Sequence, residues 1–173
     1  MNPHHWMVRF VRDFWIFTLL ILFVINTLII LGYQAFLEYR YEGPEEVIAE
    51  KYAGSIVLDH NTIEKITALL LEKPDGSLHV ATLESHVLTG RFRVVHGGTG
   101  EVAQQPYRDT ALAHTGMVTV NISDGAVAGL AVSPVGIRVM GVTLPLYYIC
   151  CVAVLLTVEG IIYWRFLKIF GKE

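Results

Sequence analysis

The sequence predicts a membrane α-helical hairpin of two transmembrane helices carrying an inserted extracytoplasmic α+β domain with an antiparallel β-meander. Three observations lead there. The 173 residues are 53% hydrophobic and only 17% charged, against roughly 45–50% and 25% in soluble domains, and mean hydropathy is +0.49. Two long apolar runs lie near the ends of the sequence. Between them sit about 100 residues that carry most of the charge and the turn signals, enough for an independent domain.

The first run, residues 14–37, contains no formal charge, and a spanning helix needs about 20 residues at 1.5 Å each. The second, residues 139–164, is interrupted by one carboxylate, Glu159, and carries Pro145 near its entry, where a first-turn proline is tolerated. Trp15, Tyr33, Tyr148 and Trp164 lie near the ends, as rings that settle at headgroup depth do. Arg9 and Arg12 precede the first run as in a signal peptide, but the run exceeds the usual 7–15-residue apolar core and no A-x-A site follows, so it reads as a retained anchor.

Orientation follows from the flanks. The tail 1–13 holds Arg9 and Arg12 against Asp13, and the tail 165–173 holds Arg165, Lys168 and Lys172 against Glu173. Residues 38–143 hold eight basic and thirteen acidic residues. The positive-inside rule then predicts both termini in the cytoplasm of a multi-pass cell-membrane protein and residues 38–138 outside.

Within the outward region, Pro44 to Gly54 has proline and acidic residues at its start and glycine at its close, the signature of a short helix. Residues 55–58 suggest a strand. Residues 67–73 and 77–84 flank Pro74-Asp75-Gly76 and predict a hairpin. A competing helix over 62–72 would place Ile63, Ile66 and Leu70 on one face. Residues 91–95, 117–122 and 126–132 are further strands, the last two joined by Ser123-Asp124-Gly125. The glycine-rich and polar stretch between Gly97 and His114 predicts a long surface loop.

Little in the sequence speaks for catalysis or cofactors. There is no G-x-S-x-G, Walker lysine, dinucleotide fingerprint or outward cysteine, so neither catalytic nor cofactor-binding residues are expected. No basic run points to nucleic acid. Histidines 60, 79, 86, 96 and 114 lack metal-ligand spacing, so no metal site is expected, although His79 and His86 would be the pair to test in a metal or pH sensor. His96-Gly97-Gly98-Thr99-Gly100 lacks the strand-to-helix context of an anion-binding loop.

The polar residues of the apolar runs are the sharper signal, because ionisable groups there cost on the order of 3 kcal/mol and face protein or water. Cys150, Ala153, Thr157 and Gly160 form one small-residue stripe on the second run, and Thr18, Asn26, Gly32 and Tyr33 fall on one face of the first. These two faces are expected to pack. Glu159 then points away from the stripe, and direct pairing with Asn26 is not expected, since they lie about 8 and 18 Å above the cytoplasmic end. Asn26 and Glu159 become candidate intramembrane contacts to a membrane partner or a second copy. The expected function is a non-enzymatic two-span protein whose outward domain binds or senses a ligand while its helices dock a partner subunit. The alternative is a small accessory subunit of a transport or secretion complex, with the same polar residues lining a pathway.

Overall fold

The computed structural model describes Trp6 and residues 14–96 and 100–170, apart from the side chains of residues 166, 167 and 170. The tail residues Arg9, Arg12, Asp13, Lys172 and Glu173, and Gly97, Gly98 and Thr99, lie outside the described residues. The chain divides into a helical unit, residues 1–32 with 147–173, and a β unit, residues 33–146.

In the helical unit, α1 spans Trp15–Tyr33 and α3 spans Leu146–Phe170. Two helical stretches are apolar and long enough to cross a bilayer, Trp15–Glu38, which takes in α1 and the turn after it, and Leu146–Arg165 within α3. Asn26, fully buried, donates from Nδ2 to Glu159 Oε2 at 3.3 Å, and the hydroxyls of Thr27 and Tyr148 hydrogen-bond. Ile30 and Val152 are also buried, and the Phe23 and Tyr148 rings meet edge to face at 6.2 Å.

This corrects the expected packing in two respects. Asn26 and Glu159 do meet. Helix α3 runs on to Phe170, past Trp164, the expected end of the apolar run, so Glu159 lies about 16 Å from the helix end and not about 8 Å, close to the depth expected for Asn26. The stripe of Cys150, Ala153, Thr157 and Gly160 is instead exposed, and Gly32 has no atom within 4 Å of where a Cβ would stand. Thr18 is half-buried and spends its hydroxyl on its own helix, on the Phe14 carbonyl at 3.2 Å.

The β unit begins as the apolar segment ends, in a single π turn over Gln34–Glu38. Helix α2, Pro44–Lys51, follows, with Pro44 at its start and Glu45 and Glu46 in the first turn. Then come β1 (Ile56–Ile63), β2 (Ile66–Glu72), β3 (Leu78–Ser85) and β4 (Phe92–Val94), an antiparallel meander in the order β1-β2-β3-β4. The hairpin between residues 67 and 84 is present, with Leu70 opposite Val80, so the competing helix is absent.

A second antiparallel sheet holds β5 (Tyr107–Leu112), β6 (Met117–Ser123) and β7 (Ala126–Ser133). Leu70 and Val80 of the first sheet, with Val95 just past β4, share one core with Val118, Val120 and Ile122 of the second. On the other face of the first sheet Leu69, Leu71, Ala81 and Leu83 pack with Val47 of α2. The order of layers is therefore helix, sheet, sheet, and β2 is covered on both faces, which explains its unbroken apolar run.

Two strand assignments revise the expected boundaries. The predicted loop contains β5, an edge strand that turns Tyr107 and Ala111 inward and leaves Arg108 and Thr110 exposed. Residues 139–145, expected to open the second helix, belong to a ribbon of β8 (Gly136–Val139) and β9 (Val142–Pro145). Its two-residue turn places Met140 and Gly141 at φ 49° and 85°, the geometry suited to a tight hairpin. Helix α3 thus starts at Leu146, whose N–H is taken by the Val135 carbonyl at 3.0 Å.

Candidate functional site

Alternation along β3 turns Val80, Thr82 and Glu84 toward the second sheet and Ala81 and Leu83 toward α2. Glu84 is thereby carried into the interior, 1% exposed, opposite Arg93 of β4, 4% exposed. Buried charges persist only when paired and hydrogen-bonded. Glu84 Oε2 accepts from Arg93 Nε at 2.9 Å and Nη2 at 2.5 Å, and the backbone N–H groups of His114 and Thr115 donate to the same carboxylate at 3.2 and 3.1 Å. One side chain thus ties the first sheet to the β5–β6 turn.

The network continues through Glu38, whose Oε1 lies 3.1 Å from His114 Nε2 and 3.6 Å from Arg93 Nη1. Because a carboxylate only accepts, Nε2 carries a ring hydrogen toward Glu38, and Nδ1 lies 3.4 Å from both Gln34 Nε2 and Tyr39 Oη. Tyr39 sits between two histidines, its ring 4.9 Å from that of His86 and 6.2 Å from that of His114, with the Arg93 guanidinium 5.6 Å from its centroid. Burial, reinforced by the Glu84 charge, raises the Tyr39 phenol above its ordinary range. Burial works against the Arg93 charge, but Glu84 and Tyr39 outweigh it and hold the guanidinium above its ordinary value.

Beside this network opens a cleft of about 480 Å³. Tyr33, Leu37 and Glu38 at the end of the apolar segment form one wall, Lys51 and Tyr52 at the end of α2 another, and Arg93, Val94 and His96 a third, with Arg40 and Tyr41 between. Arg40 Nη2 donates to Glu50 at 2.8 Å and to the Tyr41 hydroxyl at 2.6 Å, and its guanidinium stacks on the Tyr41 ring at 4.8 Å.

The structure brings together two of the five histidines of the β unit, His86 and His114, around Tyr39. His79 stands apart, packed on Tyr52 at 5.1 Å, with neither ring nitrogen hydrogen-bonded among the described residues. Burial lowers the pKa of both His79 and His86. No group of three or more His, Cys, Asp or Glu side chains suited to a metal occurs among the described residues.

Sequence reasoning missed Glu84, Arg93, Glu38 and Tyr39. The available signal was a lone carboxylate in the apolar strand 78–85 and a lone arginine in 92–94, equidistant from the turn that joins them. No protein-family model matches the chain, and no curated protein or solved structure matches it.

Proposed function

We propose that this chain is a two-span integral membrane protein, both termini cytoplasmic, whose outward β unit binds a ligand and whose helices dock a membrane partner. One observation supports this most: only 11% and 6% of the residues in the most apolar stretches of α1 and α3 are buried. The core helices of a water-soluble fold would be covered by the rest of the chain. Here Ile16, Phe17, Leu20, Leu28, Val154, Ile161 and Ile162 stand exposed, a surface that water penalises and hydrocarbon accommodates. The polar groups Asn26, Glu159, Thr27 and Tyr148 turn inward on one another, the arrangement a low-dielectric surrounding favours. The exposed stripe of Cys150, Ala153, Thr157 and Gly160 offers a partner helix a close approach.

The test is alkaline carbonate washing of membranes from expressing cells, followed by labelling with an impermeant maleimide in a Cys150→Ser, Cys151→Ser background. The chain is expected to stay with the membrane. Asp124→Cys, in the β6–β7 turn, is expected to react in intact cells, and Lys168→Cys only after lysis. Release by carbonate, or the reverse labelling pattern, overturns the reading. For the partner, mild-detergent pull-down of the intact chain is compared with Ala153→Leu, which is expected to lose a stoichiometric companion.

A further inference from the structure

We propose that the cleft beside the ion network binds a phosphate ester that also carries a free hydroxyl, either the headgroup of an acidic phospholipid or a free polyol phosphate. The β unit is acidic: residues 38–143 hold thirteen carboxylates and eight basic side chains. The cleft is lined by Arg40, Lys51 and Arg93 and by the carboxylate of Glu38, while Glu50 and Glu84 pair with two of these cations. Lys51 is the cation left without a carboxylate among the described residues, and a concave site focuses its potential on an anion.

The cations differ in what they have left to give. Arg40 is engaged by Glu50 at the rim, and Arg93 is held from below by Glu84. Arg93 Nη1 faces Glu38 at 3.6 Å, beyond close hydrogen-bond range. The side chains of Lys51, on the last turn of α2, and His96 make no hydrogen bond or ion pair among the described residues, and His96 stands close enough to Glu38 to act on its charge. A phosphate between Lys51, His96 and Arg93 Nη1 would complete all three, and charge-assisted hydrogen bonds to phosphate are among the strongest a protein makes.

Glu38 narrows the ligand class. Its Oε2 is buried without a hydrogen-bond partner. A carboxylate repels a bare phosphate but accepts a hydroxyl, so the ligand that satisfies the cleft carries both groups. Leu37 and Tyr33 supply an apolar wall of the cleft, which a lipid's glycerol and acyl carbons would cover. The lipid form of this inference rests on the membrane reading; the free phosphate ester form does not.

The experiment uses the full chain, purified in phosphate-free maltoside detergent, with melting and calorimetry in the presence of glycerol 3-phosphate, sodium sulfate, or mixed micelles of phosphatidylglycerol or phosphatidylcholine. Saturable binding to phosphatidylglycerol but not phosphatidylcholine is expected, weakened about tenfold or more by Lys51→Glu and unchanged by Arg108→Glu, the same charge reversal on exposed β5. Lys51→Gln provides a second variant that removes the charge without adding one, with a smaller loss in the same direction. Binding of glycerol 3-phosphate as tight as that of the lipid assigns the site to a soluble ester. No saturable binding, equal stabilisation by sulfate, or equal losses in Lys51→Glu and Arg108→Glu overturns the proposal. If carbonate releases the chain while glycerol 3-phosphate still binds, the membrane reading fails and the site stands.

Discussion

Glu84 and Arg93 face each other across β3 and β4, both nearly inaccessible, and the carboxylate also holds the backbone of the β5–β6 turn. Removing one member of such a pair strands a buried charge, at a cost of about 3–5 kcal/mol. Glu84→Ala is therefore expected to lower the melting temperature of the full chain by on the order of 10 °C or more. The double variant Glu84→Leu, Arg93→Met removes both charges and is expected to lose less than the two single losses together. Melting of Glu84→Ala within a degree of the parent chain would show that the pair carries no net stability.

The same pair shows what the sequence could convey. The elements were legible where one physical signal acts alone: length and hydropathy for α1, proline and acidic residues for α2, and turn chemistry for the β2–β3 hairpin. The β8–β9 ribbon was hidden because Val139, Met140 and Val142 are as apolar as the helix that follows them, and only backbone geometry at Met140 and Gly141 separates the two. Strand β5 was hidden because an edge strand buries one face and looks polar on the other. The site was least legible, since Glu38, Tyr39, Glu84, Arg93 and His114 are distant in sequence and meet only once both sheets are stacked.

In the helical unit, the buried Asn26 is tied to α3 through Glu159. Asn26→Ala is expected to destabilise by about 1 kcal/mol, since interhelical hydrogen bonds in apolar surroundings average about 0.6 and reach about 2, and it also leaves Glu159 without this donor. Glu159→Gln keeps an acceptor for the Asn26 amide and is expected to melt close to the parent. Thermal melting in maltoside micelles reads both. A larger loss from Glu159→Gln than from Asn26→Ala would contradict the assignment of Asn26 as donor.

His79 and His86 make stability depend on pH in one direction. Burial lowers both pKa values, with Lys73 assisting at His79 and Lys65 at His86, while Glu101 opposes at His79. The unfolded chain, with histidines near 6.5, then binds more protons than the folded one as pH falls. Stability is full above about pH 6.5 and declines as pH drops through that value toward the lowered folded one. Melting followed from pH 8 to pH 5 is expected to show this decline, and His79→Leu is expected to flatten part of it. Since neither His79 ring nitrogen is hydrogen-bonded among the described residues, the same change costs little at pH 8. A His79→Leu profile parallel to that of the parent would remove His79 from the account.

Asp59 joins the edge of the first sheet to the second. The β1–β2 register shifts between Val57 and Asp59, and the β6–β7 register shifts between Asn121 and Ile122, beside the pairing of Ile122 with Val127. The Val127 N–H donates to Asp59 Oδ2 at 2.8 Å. This bond and one from the His60 N–H hold the Asp59 carboxyl below its ordinary pKa. A lowered carboxylate contributes stability above its unfolded pKa and loses it as pH falls through the folded value, so the tie is intact at neutral pH and released in acid. Asp59→Ala is expected to speed amide exchange at Val127 about tenfold relative to the centre of β6, while Asp59→Asn, which retains an acceptor oxygen, is expected to restore most of the protection. Exchange at Val127 that is unaffected by Asp59→Ala would mean that sheet stacking alone holds this strand closed and that the carboxylate is incidental.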